Sequence, residues 1–318
     1  MFNLTLLGSG GGMPMPNRFL SSLIINYQGR KILIDCGEGT QVAMRKMNTG
    51  FRSIDIICIT HVHGDHIFGL PGLLSTIGNS DRTDPITIVG PLGIKQVMEG
   101  LLVAITYLPY DIYIIEGFNN PLAIINTSNG LQIKESKNPS SEEMIFSTIE
   151  LDHSAPCFGY SFYLNRKPKF IPEKALINKV PRELWSILQN GEIVTILDKI
   201  YEPNMVLGEK RKGIKISFIS DTRPIETIPD FISESDLFIC EGTYGDNEDN
   251  EKATINKHMT FKEAAELANK GNVKQLLLTH FSSAIDDPVL YRLNAETIFE
   301  DTIIGYDGLT MTLSFNEK

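Results

Sequence analysis

The segment His61-Val62-His63-Gly64-Asp65-His66 holds three of the six histidines in a chain of 318 residues. Imidazole nitrogens and a carboxylate this close in sequence are ligands for a metal ion, provided the backbone turns beneath them. The apolar run Ile54–Thr60 just before them reads as a strand, and Gly64 permits a tight turn. His61 and His63 then face one ion, while Asp65 and His66 face a second. Nitrogen and oxygen donors of this kind suit zinc, with manganese also possible. A lone histidine is usually a packing or surface residue, but four such side chains in six positions behind an apolar strand are hard to obtain that way.

Three further candidates stand where apolar runs end. His153 closes "STIELDH", Asp221 closes "ISFISD" and His280 closes "LLLTH". Each has an ordinary alternative as a strand-end histidine or a turn-capping aspartate. In open α/β sheets, sites collect at strand ends, so the three together predict delivery to the edge that carries His61–His66. Five histidines and two aspartates match two ions sharing a water and one bridging carboxylate. The sixth histidine, His258, precedes the helical pattern "TFKEAAELAN", and Glu241 follows an apolar run in "FICEGTY". If the two meet, the carboxylate orients and stabilises the imidazolium, an acid for an alkoxide leaving group. The ordinary alternative is a helix-capping histidine beside a carboxylate.

These residues need elements to carry them. Short apolar runs recur at Phe2–Leu7, Ser22–Asn26, Lys31–Asp35, Ile54–Thr60, Ile86–Val89, Met144–Leu151, Ile214–Ser220, Asp236–Cys240 and Gln275–Thr279. Their length and content predict strands buried on one or both faces. Capped helical spacing predicts helices over Thr260–Asn269 and over Pro288–Phe299, behind Asp286 and Asp287. Strands alternating with helices predict an α/β fold.

Bulk properties narrow the class. Hydrophobic residues are 42% of the chain, enough for a sizeable core, and a charged fraction of 21% is too low for disorder. A net charge of −10 argues against coating nucleic acid over the whole surface. No signal peptide is visible, and no apolar run approaches the ~20 residues of a membrane span, so a cytoplasmic protein without membrane contact is predicted. Cys36, Cys58, Cys157 and Cys240 are scattered and read as buried, reduced thiols. Residues 165–215 differ from the rest, with eleven basic and six acidic side chains, +5 in a chain whose remainder is −15. An isolated charge run of this kind is ordinarily a solvated loop.

Thr60–His66, with His153, Asp221 and His280 downstream, resembles the metallo-β-lactamase superfamily. The resemblance implies a four-layer αββα sandwich with a dinuclear zinc site at one edge. His61, His63 and His153 would hold one ion, Asp65, His66 and His280 the other, and Asp221 would bridge them. "IDCGEGTQ" (34–41), "SDTRP" (220–224), "CEGTY" (240–244), "HMT" (258–260) and "LTHFSS" (278–283) are further similar to the ribonuclease Z family, over nearly the full chain. That family implies an endoribonuclease that removes the 3′ trailer of precursor tRNA, leaving a tRNA 3′ hydroxyl and a trailer with a 5′ phosphate. Asp65 would be the general base, and His258, held by Glu241, the acid.

The resemblance also implies a single domain over residues 1–318 with a protruding basic arm inserted at about 165–212, which grips tRNA away from the cut. A homodimer is implied as well. Three departures stand out. "KVPRELWSILQNGE" in the arm lacks the family's Gly-Pro, Ala284 stands where arginine is usual, and Arg18 lacks its following asparagine. A small-molecule phosphodiesterase or arylsulfatase of the same fold is the alternative among enzymes. A non-catalytic RNA-binding relative is the alternative outside them, and seven filled ligand positions speak against it.

Overall fold

Two mixed sheets dominate the computed structural model, which describes residues 1–118, 121–136 and 142–315. One sheet has seven strands in the order Thr310–Leu313, Phe2–Gly8, Ser22–Tyr27, Arg30–Ile34, Ile54–Cys58, Ile86–Gly90, Ile112–Glu116. The other has eight, in the order Thr302–Ile304, Leu276–Thr279, Leu237–Glu241, Arg211–Ile219, Cys157–Arg166, Met144–Leu151, Leu122–Thr127, Gly130–Lys134.

Side chains alternate across each strand, and the central strands are buried on both faces. The inner faces meet in one apolar cluster, with Leu4, Leu23, Ile32 and Ile56 from the first sheet and Phe146, Tyr160, Phe218 and Ile239 from the second. The outer face of the first sheet packs Leu33, Ile57 and Ile88 with Ala43, Leu73 and Met98 of the helices Thr40–Lys46, Leu70–Gly78 and Ile94–Leu101. The outer face of the second packs Ile219, Phe238 and Leu278 with Ile232, Ala264 and Ala268 of the helices Ile228–Ile232 and Phe261–Lys270. The layering is the αββα sandwich expected. Cover on both faces explains why these strands read as nearly unbroken apolar runs.

Asp55 interrupts one such run and is buried. It accepts from Arg30 Nε at 2.6 Å, Arg82 Nη2 at 2.9 Å and the Leu131 amide at 2.8 Å. Leu131 belongs to the other sheet, so this network ties the two sheets together at the far end of the strand from His61.

The helix Phe261–Lys270 starts where its cap predicts. Thr260 accepts from the Glu263 amide at 3.2 Å, and Glu263 accepts from the Thr260 amide at 2.9 Å, a reciprocal capping box. The pattern over Pro288–Phe299 does not form one helix. It splits into a 3-10 turn, Pro288–Tyr291, and a short helix, Leu293–Glu296. Val289, Leu290 and Leu293 are exposed there, so no buried stripe supports a longer helix. Cys157–Arg166 is a strand of ten residues absent from the predicted set, because Gly159, Ser161 and Asn165 dilute its apolar signal.

Residues 165–213 form a second compact unit. Ala175, Val180, Leu184, Leu188, Tyr201, Val206 and Leu207 make its own small core. They come from the helices Pro172–Ile177 and Trp185–Gln189, the hairpin Val194–Ile196/Lys199–Tyr201 and the turns between. Trp185 Nε1 donates to the Val180 carbonyl at 3.0 Å. The basic stretch is therefore folded, not a solvated loop. Among the described residues no helix is long and apolar enough to cross a membrane. All four cysteines are buried and unpaired.

Candidate active site

Three neighbouring parallel strands set one side of the site. Ile219 pairs with Cys240 and Glu241 with Thr279, so the carboxyl ends of Arg211–Ile219, Leu237–Glu241 and Leu276–Thr279 place Asp221, Glu241 and His280 side by side. His153 lies two residues past Met144–Leu151, in the same sheet. The segment His61–His66 follows Ile54–Cys58 of the other sheet, and Gly64 opens a single helical turn, Gly64–Ile67.

All seven predicted ligand residues converge, in two groups that share Asp221: His61, His63, His153 and Asp221, then Asp65, His66, Asp221 and His280. In the first, His61 Nε2 lies 3.0 Å from His63 Nδ1, and His153 Nε2 lies 3.2 Å from that same atom. Asp221 Oδ2 is 3.5 Å from His61 Nε2. In the second, His66 Nε2 and His280 Nε2 are 3.1 Å apart, and each is 3.4 Å from Asp65 Oδ2. Asp221 turns Oδ2 toward His66 at 3.5 Å and Oδ1 toward His280 at 3.2 Å.

These separations test the fit of a metal. A tetrahedral ion with bonds of ~2.0–2.1 Å to nitrogen sets its donors about 3.3–3.4 Å apart. Donor types, spacing and the shared carboxylate fit a binuclear metal site. A third group, Glu241, His258 and His280, also meets the spacing of a metal cluster. There, however, Glu241 Oε1 lies 3.1 Å from His258 Nδ1 as an ion pair.

Buried partners hold the imidazoles from behind. His66 Nδ1 lies 2.8 Å from Asp35 Oδ2, His61 Nδ1 3.1 Å from Thr60 Oγ1, and His153 Nδ1 3.1 Å from the Lys257 carbonyl. His280 Nδ1 lies 3.1 Å from Thr243 Oγ1. Such partners fix tautomer and ring orientation at metal ligands. A Cβ on Gly11 would come within 2.3 Å of His280 Cε1, so only glycine fits against that ring. The Gly12 amide donates to Asp65 Oδ2 at 2.6 Å.

The charge states follow from these contacts. Burial depresses His61 well below the usual histidine range, and neighbouring His66 adds to this. Burial acts the same way on His66, but Asp221 and Asp35 outweigh it and hold that imidazole well above the usual range. Burial would raise Asp221 and Asp65, yet the surrounding histidines outweigh it, and both carboxyls lie well below the usual range. At His258, burial opposes the charged form, while Glu241, then Asp221 and Asp65, favour it and raise the group to about 9. Arg223 pairs with Glu263 and donates to the His258 carbonyl, which fixes the backbone behind that ring.

The site opens into a cavity of about 350 Å³ lined by Gly12, Met13, Ser154, Tyr244, His258 and Ser283, among others. Sequence reasoning assigned no role to Asp35, Thr60, Thr243 or Gly11. Only Asp35 carried a signal, an acid closing the apolar run "ILID" much as Asp221 closes "ISFISD".

Comparison with known proteins agrees with this geometry. The family model described as Anti-Pycsar protein Apyc1 matches residues 2–171, a span that stops short of Asp221, His258 and His280. Human tRNase Z, short form, superposes with a TM-score of 0.68 at 24% identity, covering 98% of this chain and all of that one. The metallo-β-lactamase fold protein YhfI from Bacillus subtilis superposes with a TM-score of 0.65 at 17% identity, over 98% of both. Ribonuclease Z from Alkaliphilus oremlandii is 66% identical over 315 residues, 99% of each chain. At that identity and coverage, the chain belongs to the ribonuclease Z family, built on the metallo-β-lactamase fold.

Proposed function

We propose that the chain is a metal-dependent endoribonuclease that cuts the 3′ trailer from precursor tRNA. His61, His63 and His153 would hold one zinc ion and Asp65, His66 and His280 a second, with Asp221 common to both groups. Manganese suits the same donors. The reading rests on one observation, that two donor groups sharing Asp221 lie beside the His258–Glu241 ion pair in a chain 66% identical to a ribonuclease Z along its length.

Bound metal supplies activation of water and neutralisation of phosphate charge. The chain's own groups do the rest. Asp65, held in place by the Gly12 amide, accepts the proton of the attacking water. His258 keeps its proton at neutral pH and lines the cavity. With Nδ1 on Glu241, its Nε2 is left to protonate the departing ribose 3′ oxygen, which leaves as the hydroxyl. The products are tRNA with a free 3′ hydroxyl and a trailer with a 5′ phosphate.

The unit 165–213 is the arm that captures tRNA. Its lysines and arginines neutralise phosphates, and double-stranded RNA is read through backbone and shape. The working form is a homodimer, and the chain belongs in the cytoplasm, where its unpaired cysteines stay reduced.

Cleavage of a 3′-extended tRNA, abolished by chelator and restored by zinc, is the expected result with purified protein. Deleting Lys167–Arg211 should abolish that cleavage while sparing hydrolysis of bis(p-nitrophenyl) phosphate. Equal loss of both activities would assign these residues to the fold and not to RNA capture. Salt-independent turnover of the small ester with no tRNA binding would favour a small-molecule phosphodiesterase.

A further inference from the structure

The Thr243 hydroxyl is buried behind the site and meets two histidines and a carboxylate. Its Oγ1 lies 3.1 Å from His280 Nδ1 and 3.2 Å from His258 Nδ1, and it donates to Glu241 Oε2. The His280 carbonyl is also 3.2 Å away. A hydroxyl has one proton and two lone pairs. The charged carboxylate is the closer and stronger acceptor, so it takes the proton. The lone pairs then need a donor. His258 Nδ1 already has Glu241 Oε1 at 3.1 Å, which leaves the N–H of His280 Nδ1. His280 therefore carries its proton on Nδ1 and turns the Nε2 lone pair toward His66, Asp65 and Asp221.

Gly11 lies against the His280 ring, where any side chain would collide with it. Thr60 repeats the device across the site: its Oγ1 lies 3.1 Å from His61 Nδ1 and 2.9 Å from Asp35 Oδ2. The two arrangements differ in what the carboxylate does next. Asp35 also holds His66, a second ligand candidate, whereas Glu241 holds His258.

We infer that Thr243 is a positioning residue for the reaction, setting the tautomer of His280 and joining it through Glu241 to His258. The metal-ligand side of the site and the proton donor then share one buried carboxylate. This rests on the reading of His280 as a ligand and His258 as the acid.

Thr243→Val keeps the shape and removes the hydroxyl, while Thr243→Ser keeps the hydroxyl. Nitrogen-15 correlation spectra of the zinc-loaded wild type should show His280 protonated at Nδ1 and bare at Nε2. Thr243→Val should weaken the hold on one of the two ions against a chelator by about 10–100-fold and lower kcat on 3′-extended tRNA by a similar factor. KM should stay within about threefold, and Thr243→Ser should restore both quantities to within about threefold, since it retains the hydrogen-bonding group. A merely structural residue would shift KM and both ions together. The opposite tautomer at His280, or a Thr243→Val enzyme with wild-type metal retention and kcat, overturns the inference and leaves the metal site standing. If the valine variant does not fold, the tautomer and the serine variant decide. A wild-type protein that takes up no metal overturns the metal-site reading and this inference with it.

Discussion

Glu241 is fully buried, and its oxygens accept from His258, Thr243 and the amides of Thr222 and Met259. A carboxylate held by that many donors is fixed in place, which is what a partner for an imidazolium needs. His258→Ala should keep both metal ions and lose about 10²–10⁴ in kcat, the usual worth of a positioned acid. Metal analysis beside steady-state kinetics checks this. Glu241→Gln gives a separate test through pH. The carboxylate raises His258 above its usual range, so the neutral amide lets the imidazolium lose its proton at lower pH. With protonated His258 as the proposed acid, the alkaline limb of the kcat profile should move to lower pH. A limb that stays in place would show that another group limits the rate there.

The strands work by where they stop. Arg211–Ile219, Leu237–Glu241 and Leu276–Thr279 run parallel in register, so one layer carries three chemical groups at neighbouring ends. His280, just past the last of these, adopts a left-handed backbone with φ 58°, which few non-glycine residues do. The strain is held by a short parallel pairing of Gly10–Gly11 with Phe281–Ser282, and this same pairing lays Gly11 against the His280 ring. Gly11→Ala should therefore push the ring off its position while the sandwich remains. The expected result is loss of metal at the Asp65–His66–His280 group and at least about tenfold lower kcat, as for lost ligand orientation, with an unchanged far-ultraviolet circular dichroism spectrum. Metal titration and the spectrum together check it.

The molecule as a whole separates the work of holding together from the work of catalysis. Asp55, Arg30 and Arg82 bind the two sheets at one end of Ile54–Cys58, and the histidines gather beyond the other. Arg82 is fully buried, and its guanidinium also donates to three carbonyls, those of Arg52, Asp84 and Pro85. Removing one member of a buried ionic network leaves charge and carbonyls unpaired. Arg82→Ala should therefore cost about 3–5 kcal/mol of unfolding free energy, read from the urea midpoint. Turnover per folded molecule should stay near the wild-type value, since no ligand contacts this network. A large fall in kcat at full folding would mean the two ends are coupled.

Sequence order alone was enough to identify much of this protein. His61, His63, Asp65 and His66 sit so close together that a single turn brings them to one place, and local backbone geometry is what short sequences encode. His153, Asp221 and His280 were readable for another reason: each ends an apolar run, and buried strands announce their ends. Asp35 was readable only as an acid closing an apolar run, and Thr243 and Gly11 not at all, because each depends on a contact with a residue 31, 37 or 269 positions away, a distance that only the paired strands close. The broken helix after Asp287 has the same origin, since periodicity reports which face is apolar but not whether anything covers it. Chemistry was written in residue types and local spacing, whereas tautomers, orientation and the sharing of Asp221 and Glu241 were decided by tertiary packing, because hydrogen-bond direction depends on what lies within about 3 Å in space.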